Sequence, residues 1–133
     1  MTVEEIMKKN VATCMPNDDL VRIATRMRSR GCGFLPVVDE RGIVVGVVTD
    51  RDVCLTVAAK HTLSRAAAKD VMSHPVFGCF AEDNATTALA TMVTHHVRRL
   101  PVLDKAHGHL KGVLSLDDLA AAPPRYSRTD LAP

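Results

Sequence analysis

Two short stretches of this sequence place a hydroxyl side chain three residues before an aspartate. Each stretch starts with a glycine and two apolar residues, and the two run from Gly46 to Asp52 and from Gly112 to Asp118. A hydroxyl residue followed at this spacing by an acid is a variant of the capping box, in which Thr49 or Ser115 would satisfy unpaired backbone N–H groups at a helix start. The same geometry could instead bind a ligand, because a helix N-terminus favours phosphate and an ionised aspartate accepts hydrogen bonds from ribose hydroxyls.

The segments before these stretches are also duplicated. Leu35-Pro36-Val37-Val38-Asp39 corresponds to Leu100-Pro101-Val102-Leu103-Asp104, and a shift of 65 residues relates these segments and earlier positions such as Met7 and Met72. The shift then becomes 66, because the turn around residues 107–109 holds one extra residue. For a single copy, capping alone would be the stronger interpretation, whereas the duplication indicates two repeats of one fold and favours a shared binding role.

Helices are predicted at equivalent places in both halves. In the first half, a capping box that starts at Thr2 predicts a short helix to about Lys9. Apolar residues at helical spacing predict a second helix, with Asn17 or Asp18 as its cap and Gly31 at its C-terminal end. The remaining predicted helices span residues 49–59, 64–72, 83–95 and 115–121.

Runs of β-branched and other apolar residues predict the strands. Residues 34–38 and 43–48 are separated by a short segment with turn chemistry, so they are predicted to pair as an antiparallel hairpin. Both runs are almost entirely apolar, and we therefore expect strands that are covered on both faces. The other predicted strands span residues 11–14, 76–80, 99–103 and 110–114.

Each half contains a Leu-Pro strand segment followed by a glycine-to-aspartate stretch. Because this pair of segments occurs twice at nearly the same spacing, the sequence resembles a tandem pair of CBS (cystathionine β-synthase) domains over about residues 3–121. The resemblance implies an α/β (α+β) fold, in which two β-α-β-β-α repeats pack about a pseudo-two-fold axis as a disc-like, Bateman-type module. We place the first repeat at residues 1–62 and the second at 63–122. Residues 123–133 lack periodicity, and we expect them to form a flexible tail.

Modules of this family contain two clefts between the repeats, which in many members hold AMP, ADP, ATP or S-adenosylmethionine. By matched position, Thr49 and Asp52 would bind phosphate and ribose in one cleft, and Ser115 and Asp118 would do so in the other. The resemblance therefore implies an adenosine nucleotide as the ligand, and no required cofactor.

The residues before each Leu-Pro pair lie where the family lines the adenine and phosphate region. These residues are Gly33 and Phe34 in the first repeat, and Arg98 and Arg99 in the second. The basic pair resembles part of the nucleotide site in the regulatory subunit of AMP-activated protein kinase, so the second-repeat cleft is expected to favour a phosphorylated ligand and the first a less charged one. Successive strand residues point to opposite faces, so only one of the two arginines is expected to reach the ligand.

Composition narrows the range of partners. The formal net charge is +2, aromatic residues make up 3% of the chain and tryptophan is absent, so neither charge nor base-stacking side chains argue for nucleic acid. No apolar run approaches the roughly 18 residues that a spanning helix requires, and Glu4 and Glu5 make the N-terminus acidic where a signal peptide would be basic. We therefore expect a cytoplasmic protein with no membrane association.

Catalysis is not expected, because no set of nucleophile, base and orienting group can be recognised in the sequence. The first hypothesis is a stand-alone, non-enzymatic regulatory module that senses an adenosine nucleotide. Modules of this family commonly form homodimers, and a ligand would signal to an unidentified effector protein by favouring one conformational or oligomeric arrangement over another.

A second hypothesis assigns a metal-dependent or redox stress function to Cys14 and Cys79, which occupy equivalent positions in the two repeats. Most single cysteines are buried packing groups, however, and nothing in the sequence indicates a lowered thiol pKa. His107 and His109 form only a weak set of metal ligands. We therefore expect no functional metal site.

Overall fold

Residues 1–122 are the part of the chain that the computed structural model describes, so the tail expected at 123–133 lies outside the described residues. The helices are α1 (Val3–Ile6), α2 (Leu20–Arg30), α3 (Asp50–Ala58), α4 (Ala68–Val71), α5 (Ala85–His95) and α6 (Leu116–Ala121), with one 3₁₀ turn at Leu63–Arg65. The strands are β1 (Phe34–Val38), β2 (Val44–Thr49), β3 (Cys79–Phe80), β4 (Arg99–Leu103) and β5 (Leu110–Ser115). This order confirms the mixed α+β fold with two repeats that the sequence predicts.

Each repeat is built on an antiparallel hairpin. β1 pairs with β2 so that Leu35 lies opposite Val48, and β4 pairs with β5 so that Leu100 lies opposite Leu114. Both hairpins contain a register shift at the same point, after the fourth residue of the first strand. The duplication of the sequence is therefore a duplication of the structure, and both predicted hairpins are confirmed.

The predicted first strand is reduced to a single bridge at Cys14, whose carbonyl oxygen accepts the N–H of Val38 at 2.8 Å. Met15 then donates its N–H to the carboxylate of Asp18 at 2.9 Å, which turns the chain away from the hairpin. The prediction of a strand over residues 11–14 is therefore wrong. Its counterpart β3 forms, but it is shorter than predicted and pairs in parallel with β4.

The start of α2 lies at a different cap from the predicted one. Asp19 is the N-cap, and its carboxylate accepts the N–H of Arg22 at 2.9 Å. The prediction of Asn17 or Asp18 is wrong because Asp18 closes the preceding turn instead. Gly31 ends the helix with a φ of 62°, in the left-handed region where glycine is favoured, so the predicted C-terminal end is confirmed.

The first helix is also shorter than predicted. α1 is four residues long, and the Thr2 side chain makes no capping hydrogen bond. The N–H of Glu5, which a Thr2 cap would satisfy, donates to the backbone carbonyl oxygen of Thr2 at 3.2 Å, so the predicted side-chain cap does not form. The N–H of Val3 donates to the carbonyl oxygen of Asp83 in the second repeat at 2.8 Å, and α1 ends before Lys9.

The helix predicted over residues 64–72 is replaced by the 3₁₀ turn and α4. The chain between these two elements is extended, and the carbonyl oxygen of Ala66 accepts the N–H of Leu20 at 2.9 Å. The N–H of Ala68 donates to the carbonyl oxygen of Asp18 at 2.9 Å. These two hydrogen bonds hold the segment against the start of α2, which interrupts the predicted helix.

The two hydrophobic cores exchange their N-terminal segments. Val3 and Met7 pack in the core formed by β4, β5 and α5, together with Leu100. Ala68 packs in the core formed by β1, β2 and α2, together with Leu35. Each repeat therefore completes the core of the other, which explains why α1 and α4 bind to turns of the opposite repeat.

Burial differs between the two strands of the first hairpin. The three central residues of β1 are buried, which confirms the expectation that this strand is covered on both faces. In β2, buried and half-buried residues alternate, so the same expectation is wrong for that strand. Alternation is typical of an antiparallel strand with one face on the core, and the apolar composition of β2 concealed it.

Candidate ligand-binding cleft

A cleft of about 440 Å³ lies between the two repeats and contains five of the eight residues predicted to bind a ligand. Three parts of the chain form it: the segment after α1, the end of α2 with the start of β1, and the β4–β5 hairpin with the start of α6. The five predicted residues in the lining are Gly33, Phe34, Arg99, Ser115 and Asp118.

The hydroxyl–aspartate pair in this cleft forms a complete capping box. Ser115 Oγ accepts the N–H of Asp118 at 3.0 Å, and Asp118 Oδ2 accepts the N–H of Ser115 at 2.9 Å. Capping therefore occupies only one of the two carboxylate oxygens. The side chain of Asp118 is 11% exposed, so the second oxygen, Oδ1, lies at the edge of the cleft with limited access to water.

Lys8 is a cleft residue that the sequence interpretation missed. Its Nζ atom lies 3.2 Å from Asp118 Oδ1, and its side chain is 71% exposed. The predicted helix to Lys9 concealed this position, because Lys8 in the structure lies in an extended segment that bonds to Val113 in β5. Only the fold brings Lys8 to Asp118, and no local feature of the sequence indicates the pair.

The grouping of the predicted residues differs from the expected one. Gly33 and Phe34 belong to the first repeat, yet they line the cleft that contains Ser115 and Asp118. The cleft is formed between the repeats, so the start of β1 lines the cleft beside the start of α6, although Phe34 also lies opposite Thr49 in the β1–β2 pairing. Gly33 and Phe34 are therefore not confined to a first-repeat cleft, and the expectation that such a cleft favours a less charged ligand stays a prediction.

Arg98 and Arg99 occupy different positions relative to the cleft. Arg99 lies opposite Ser115 in the β4–β5 pairing and lines the cleft, as alternation along a strand allows for one of the two residues. Arg98 is absent from the lining, and its carbonyl oxygen accepts the N–H of Leu116 at 2.8 Å. Under the repeat shift, Arg98 corresponds to Gly33, whose carbonyl oxygen accepts an equivalent bond at the start of α3.

Thr49 and Asp52 form the matching capping box at the start of α3. Asp52 Oδ2 accepts the N–H of Thr49 at 2.8 Å, and the Thr49 hydroxyl donates to the same oxygen at 3.1 Å. Neither residue lines the cleft that contains Asp118. No ion pair to Asp52 is present within residues 1–122, so the two equivalent aspartates have different electrostatic surroundings.

The two equivalent cysteines are buried packing groups. Burial, together with a smaller contribution from the nearby carboxylates of Asp18 and Asp83, raises the pKa of the Cys14 and Cys79 thiols to about 12. A thiolate is the form that binds metal and reacts with oxidants, so burial disfavours both functions. In the described part of the chain, no group of three histidine, cysteine or acidic side chains is arranged to hold a metal ion.

The histidines of the β4–β5 turn have a structural role. Asp104 Oδ1 accepts the N–H of His107, and this hydrogen bond lowers the pKa of the Asp104 carboxyl group. His109 Nδ1 lies 3.4 Å from Asp104 Oδ2. The turn is thereby closed on its own carboxylate.

None of the helices described between residues 1 and 122 is long and apolar enough to cross a membrane.

Comparison with known proteins identifies relatives over nearly the whole chain. The chain is 30% identical over 125 residues to an uncharacterized protein of Methanopyrus kandleri, and the match covers 93% of this chain and 63% of that protein. It is 33% identical over 119 residues to the CBS domain-containing protein YhcV of Bacillus subtilis, covering 90% and 83% of the two chains. The chain is thus shorter than both relatives.

Solved structures have the same fold. Hypoxic Response Protein I, solved with two coordinated zinc ions, has a TM-score of 0.85 and 27% identity, covering 93% of this chain and 100% of that one. A CBS domain protein of Pyrobaculum aerophilum complexed with AMP has a TM-score of 0.83 and 24% identity, covering 98% and 95%. A CBS domain pair in complex with 5′-methylthioadenosine and S-adenosyl-L-methionine has a TM-score of 0.82 and 21% identity, covering 90% and 93%.

The family model described as the CBS domain matches this chain twice, over residues 3–59 and 68–125. These two matches fall on the two hairpin repeats, and the similar solved structures share this fold over 93–98% of the chain. The chain therefore belongs to the CBS domain family, with one CBS domain in each half.

Proposed function

We propose that this CBS pair is a non-catalytic regulatory module that binds an adenosine compound in the cleft between its repeats. The observation that carries the proposal is the position of Asp118: its Oδ2 is fixed by the capping box, and its Oδ1 lies at the cleft. A carboxylate held in this way can accept hydrogen bonds from two ribose hydroxyls without losing the helix cap. The cleft volume of about 440 Å³ is in the range of small-molecule sites.

The remaining cleft residues suit the other parts of such a ligand. Arg99 supplies a permanent positive charge for phosphate, and Phe34 with Val11 and Ala12 supplies apolar surface for a purine. Two solved relatives in the fold comparison hold AMP or S-adenosylmethionine, at 24% and 21% identity. They support an adenosine compound as the ligand class, while the choice among such compounds depends on the cleft of this chain.

Isothermal titration of the purified protein with AMP, ATP and S-adenosylmethionine tests the proposal, with Asp118→Ala and Asp52→Ala as a matched pair. Both variants lose the same type of helix cap, but only Asp118 lines the cleft. We expect the tightest site to be lost in Asp118→Ala and kept in Asp52→Ala. Equal affinities in the two variants would place the ligand elsewhere, and ATP turnover that Asp118→Ala abolishes would contradict a non-catalytic role.

The homodimer expected from the family is part of the same proposal. Several apolar side chains on α3 and α5 are exposed, including Leu55 at 54%, Val57 at 55% and Val93 at 67%. Exposed apolar patches on soluble proteins often mark association surfaces. Sedimentation velocity with and without AMP measures the dimer and its response to ligand, and Val93→Lys should weaken association because it places a charge on the exposed apolar face of α5.

A cysteine-dependent or metal-dependent function is not proposed. The thiols of Cys14 and Cys79 are 1% and 5% exposed and have raised pKa values, so neither is available as a thiolate near neutral pH. The two zinc ions are a feature of the Hypoxic Response Protein I structure, and they give no reason to assign a zinc site to this chain. Native mass spectrometry with added zinc checks this judgement, since a stoichiometric zinc complex would contradict it.

A further inference from the structure

In the ion pair between Lys8 and Asp118, hydrogen bonds fix the backbone of Lys8, whereas its charged side chain is free to move. Lys8 donates its N–H to the carbonyl oxygen of Val113 at 3.0 Å and accepts the N–H of Val113 at 2.9 Å. Its side chain is nevertheless 71% exposed, so the flexible stem can move the ammonium group while the backbone stays in place. The same lysine can therefore pair with Asp118 or with another anion that enters the cleft.

The cleft around this ion pair has a surplus of positive charge. Lys8, Arg30 and Arg99 line it together with Asp117 and Asp118, which makes three cations and two carboxylates. Arg30 donates from Nη2 to the carbonyl oxygen of Asn10 at 3.1 Å, which directs its guanidinium group toward the segment that follows α1. An anionic group in the cleft would balance this surplus, whereas a cationic group would increase it.

The equivalent position in the other repeat carries no charge. Ser73 corresponds to Lys8 under the repeat shift, and it exchanges backbone hydrogen bonds with Val47 at 2.9 and 3.4 Å, as Lys8 does with Val113. The backbone arrangement is thus duplicated, but the ammonium group is not. The fold does not require a lysine at this position, so its side chain is available for a role in ligand binding.

We propose that Lys8 is a specificity-determining residue that makes this cleft selective for anionic nucleotides over neutral nucleosides and over sulfonium compounds such as S-adenosylmethionine. This inference rests on the proposed function. In the free protein the ammonium group neutralises Asp118. When ribose hydroxyls bind Asp118 Oδ1, the ammonium group is displaced and pairs with the phosphate of the same ligand. A neutral nucleoside breaks the ion pair without providing a new partner, and a sulfonium group adds a like charge.

Isothermal titration with adenosine and AMP tests this role in the wild-type protein, Lys8→Gln, Lys8→Arg and Lys9→Gln. Lys9 is exposed and does not line the cleft, so Lys9→Gln removes the same net charge at a neighbouring position. We expect Lys8→Gln to lower the ratio of AMP affinity to adenosine affinity about tenfold, the effect of one charge-assisted hydrogen bond. Adenosine affinity should not fall, because the variant releases Asp118, and both Lys8→Arg and Lys9→Gln should keep the wild-type ratio.

The outcomes separate this inference from the proposed function. If neither compound binds the wild-type protein, the proposed function and the inference both fail. If both compounds bind and Asp118→Ala weakens them, an unchanged ratio in Lys8→Gln overturns the inference alone. Equal losses for AMP and adenosine in Lys8→Gln would also overturn it, because a lysine that only supports the shape of the cleft would affect both ligands alike. Thermal unfolding of each variant confirms that the comparison concerns folded protein.

Discussion

Lys8 and Val113 exchange two backbone hydrogen bonds, 3.0 and 2.9 Å long, although they lie in different repeats. The bonds hold the segment after α1 against β5, and the equivalent bonds between Ser73 and Val47 hold the segment after α4 against β2. Each repeat thereby extends the hairpin of the other. The cleft is lined by one of these exchanged segments, so its shape depends on the packing between the repeats.

The two glycines that face the exchanged segments should respond differently to an added methyl group. A Cβ atom on Gly112 would collide with the backbone carbonyl oxygen of Lys8, whereas one on Gly46 would meet mainly the flexible side chain of Met72. We expect Gly112→Ala to lower the free energy of unfolding by about 1–3 kcal/mol, as overpacking against a fixed group does. Gly46→Ala should cost less, because the Met72 side chain can move.

Urea unfolding of the two variants measures this difference, and the positions are matched because they are equivalent in the repeat. The expected order is wild type, then Gly46→Ala, then Gly112→Ala. Equal stabilities of the two variants would contradict the close approach of Lys8 to β5. Gly112→Ala should also weaken the binding of any ligand that contacts Lys8, because the Lys8 side chain is attached to the displaced backbone.

The capping box at the start of α6 predicts a coupling between its two side chains. Ser115→Ala removes the oxygen that accepts the N–H of Asp118, and it should cost about 1 kcal/mol of stability. Asp118→Ala removes the reciprocal bond to the Ser115 N–H. Because the two bonds form one unit, the double variant should lose less stability than the two single losses added together. Strict additivity in a double-mutant cycle would argue that the two bonds are independent.

The local part of this structure could be predicted from the sequence. The hairpins have apolar strands and turn residues next to each other in the chain, and Gly31 ends α2 through its own left-handed conformation. The exchanged segments could not be predicted in the same way, because the N–H of Val3 finds its acceptor in the second repeat. Local propensity at Thr2 favours a capping box, but the N–H of Glu5 bonds to the backbone carbonyl oxygen of Thr2 rather than to its side chain.

The candidate cleft likewise contains residues that could be predicted from the sequence and residues that could not. Ser115 and Asp118 could be found from their spacing, because the capping box that relates them is local. Lys8 and Arg30 could not, since their approach to β5 and α6 depends on how the repeats pack. The assignment of Phe34 to the cleft of Asp118 has the same cause: the register of β1 fixes its neighbours in the hairpin, but not the element that faces it across the cleft.

The buried thiols predict a loss of stability at alkaline pH. The pKa values of Cys14 and Cys79 are raised from 9.0 to about 12 in the folded protein, so the folded state keeps protons that the unfolded chain releases. The contribution to stability is complete below pH 9 and is lost as the pH rises toward 12. The slope should reach about 1.4 kcal/mol per pH unit for each thiol.

Urea unfolding across this pH range measures the slope in the wild-type protein, in Cys14→Ala/Cys79→Ala and in Cys54→Ala. Cys54 is exposed, so its substitution should leave the slope unchanged. The double variant should be less stable at neutral pH, because both sites are buried, but its stability should fall less steeply with pH. An unchanged slope in the double variant would contradict the burial of these thiols.

The lowered pKa of the Asp104 carboxyl group predicts a loss of stability at acidic pH. The hydrogen bond from the His107 N–H lowers its pKa in the folded state, so its contribution is present above the ordinary carboxyl pKa and is lost as the pH falls through the folded value. Asp104→Asn should therefore reduce the loss of stability at low pH. NMR titration of the Asp104 side chain checks the direction of the pKa shift, and a value at or above the ordinary one would contradict it.

The exchanged segments predict that neither repeat folds alone when the chain is divided at its sequence boundary. A fragment of residues 1–62 lacks Ala68, which is fully buried in the first core, and a fragment of 63–133 lacks Val3 and Met7 of the second. Each fragment should give the circular dichroism spectrum of a largely unfolded chain, and an equimolar mixture should recover the native spectrum. As a control, the full chain with a protease site between residues 59 and 62 should stay folded after cleavage, because both halves are present. Cooperative thermal unfolding of residues 1–62 alone would show that its core is complete without the second half.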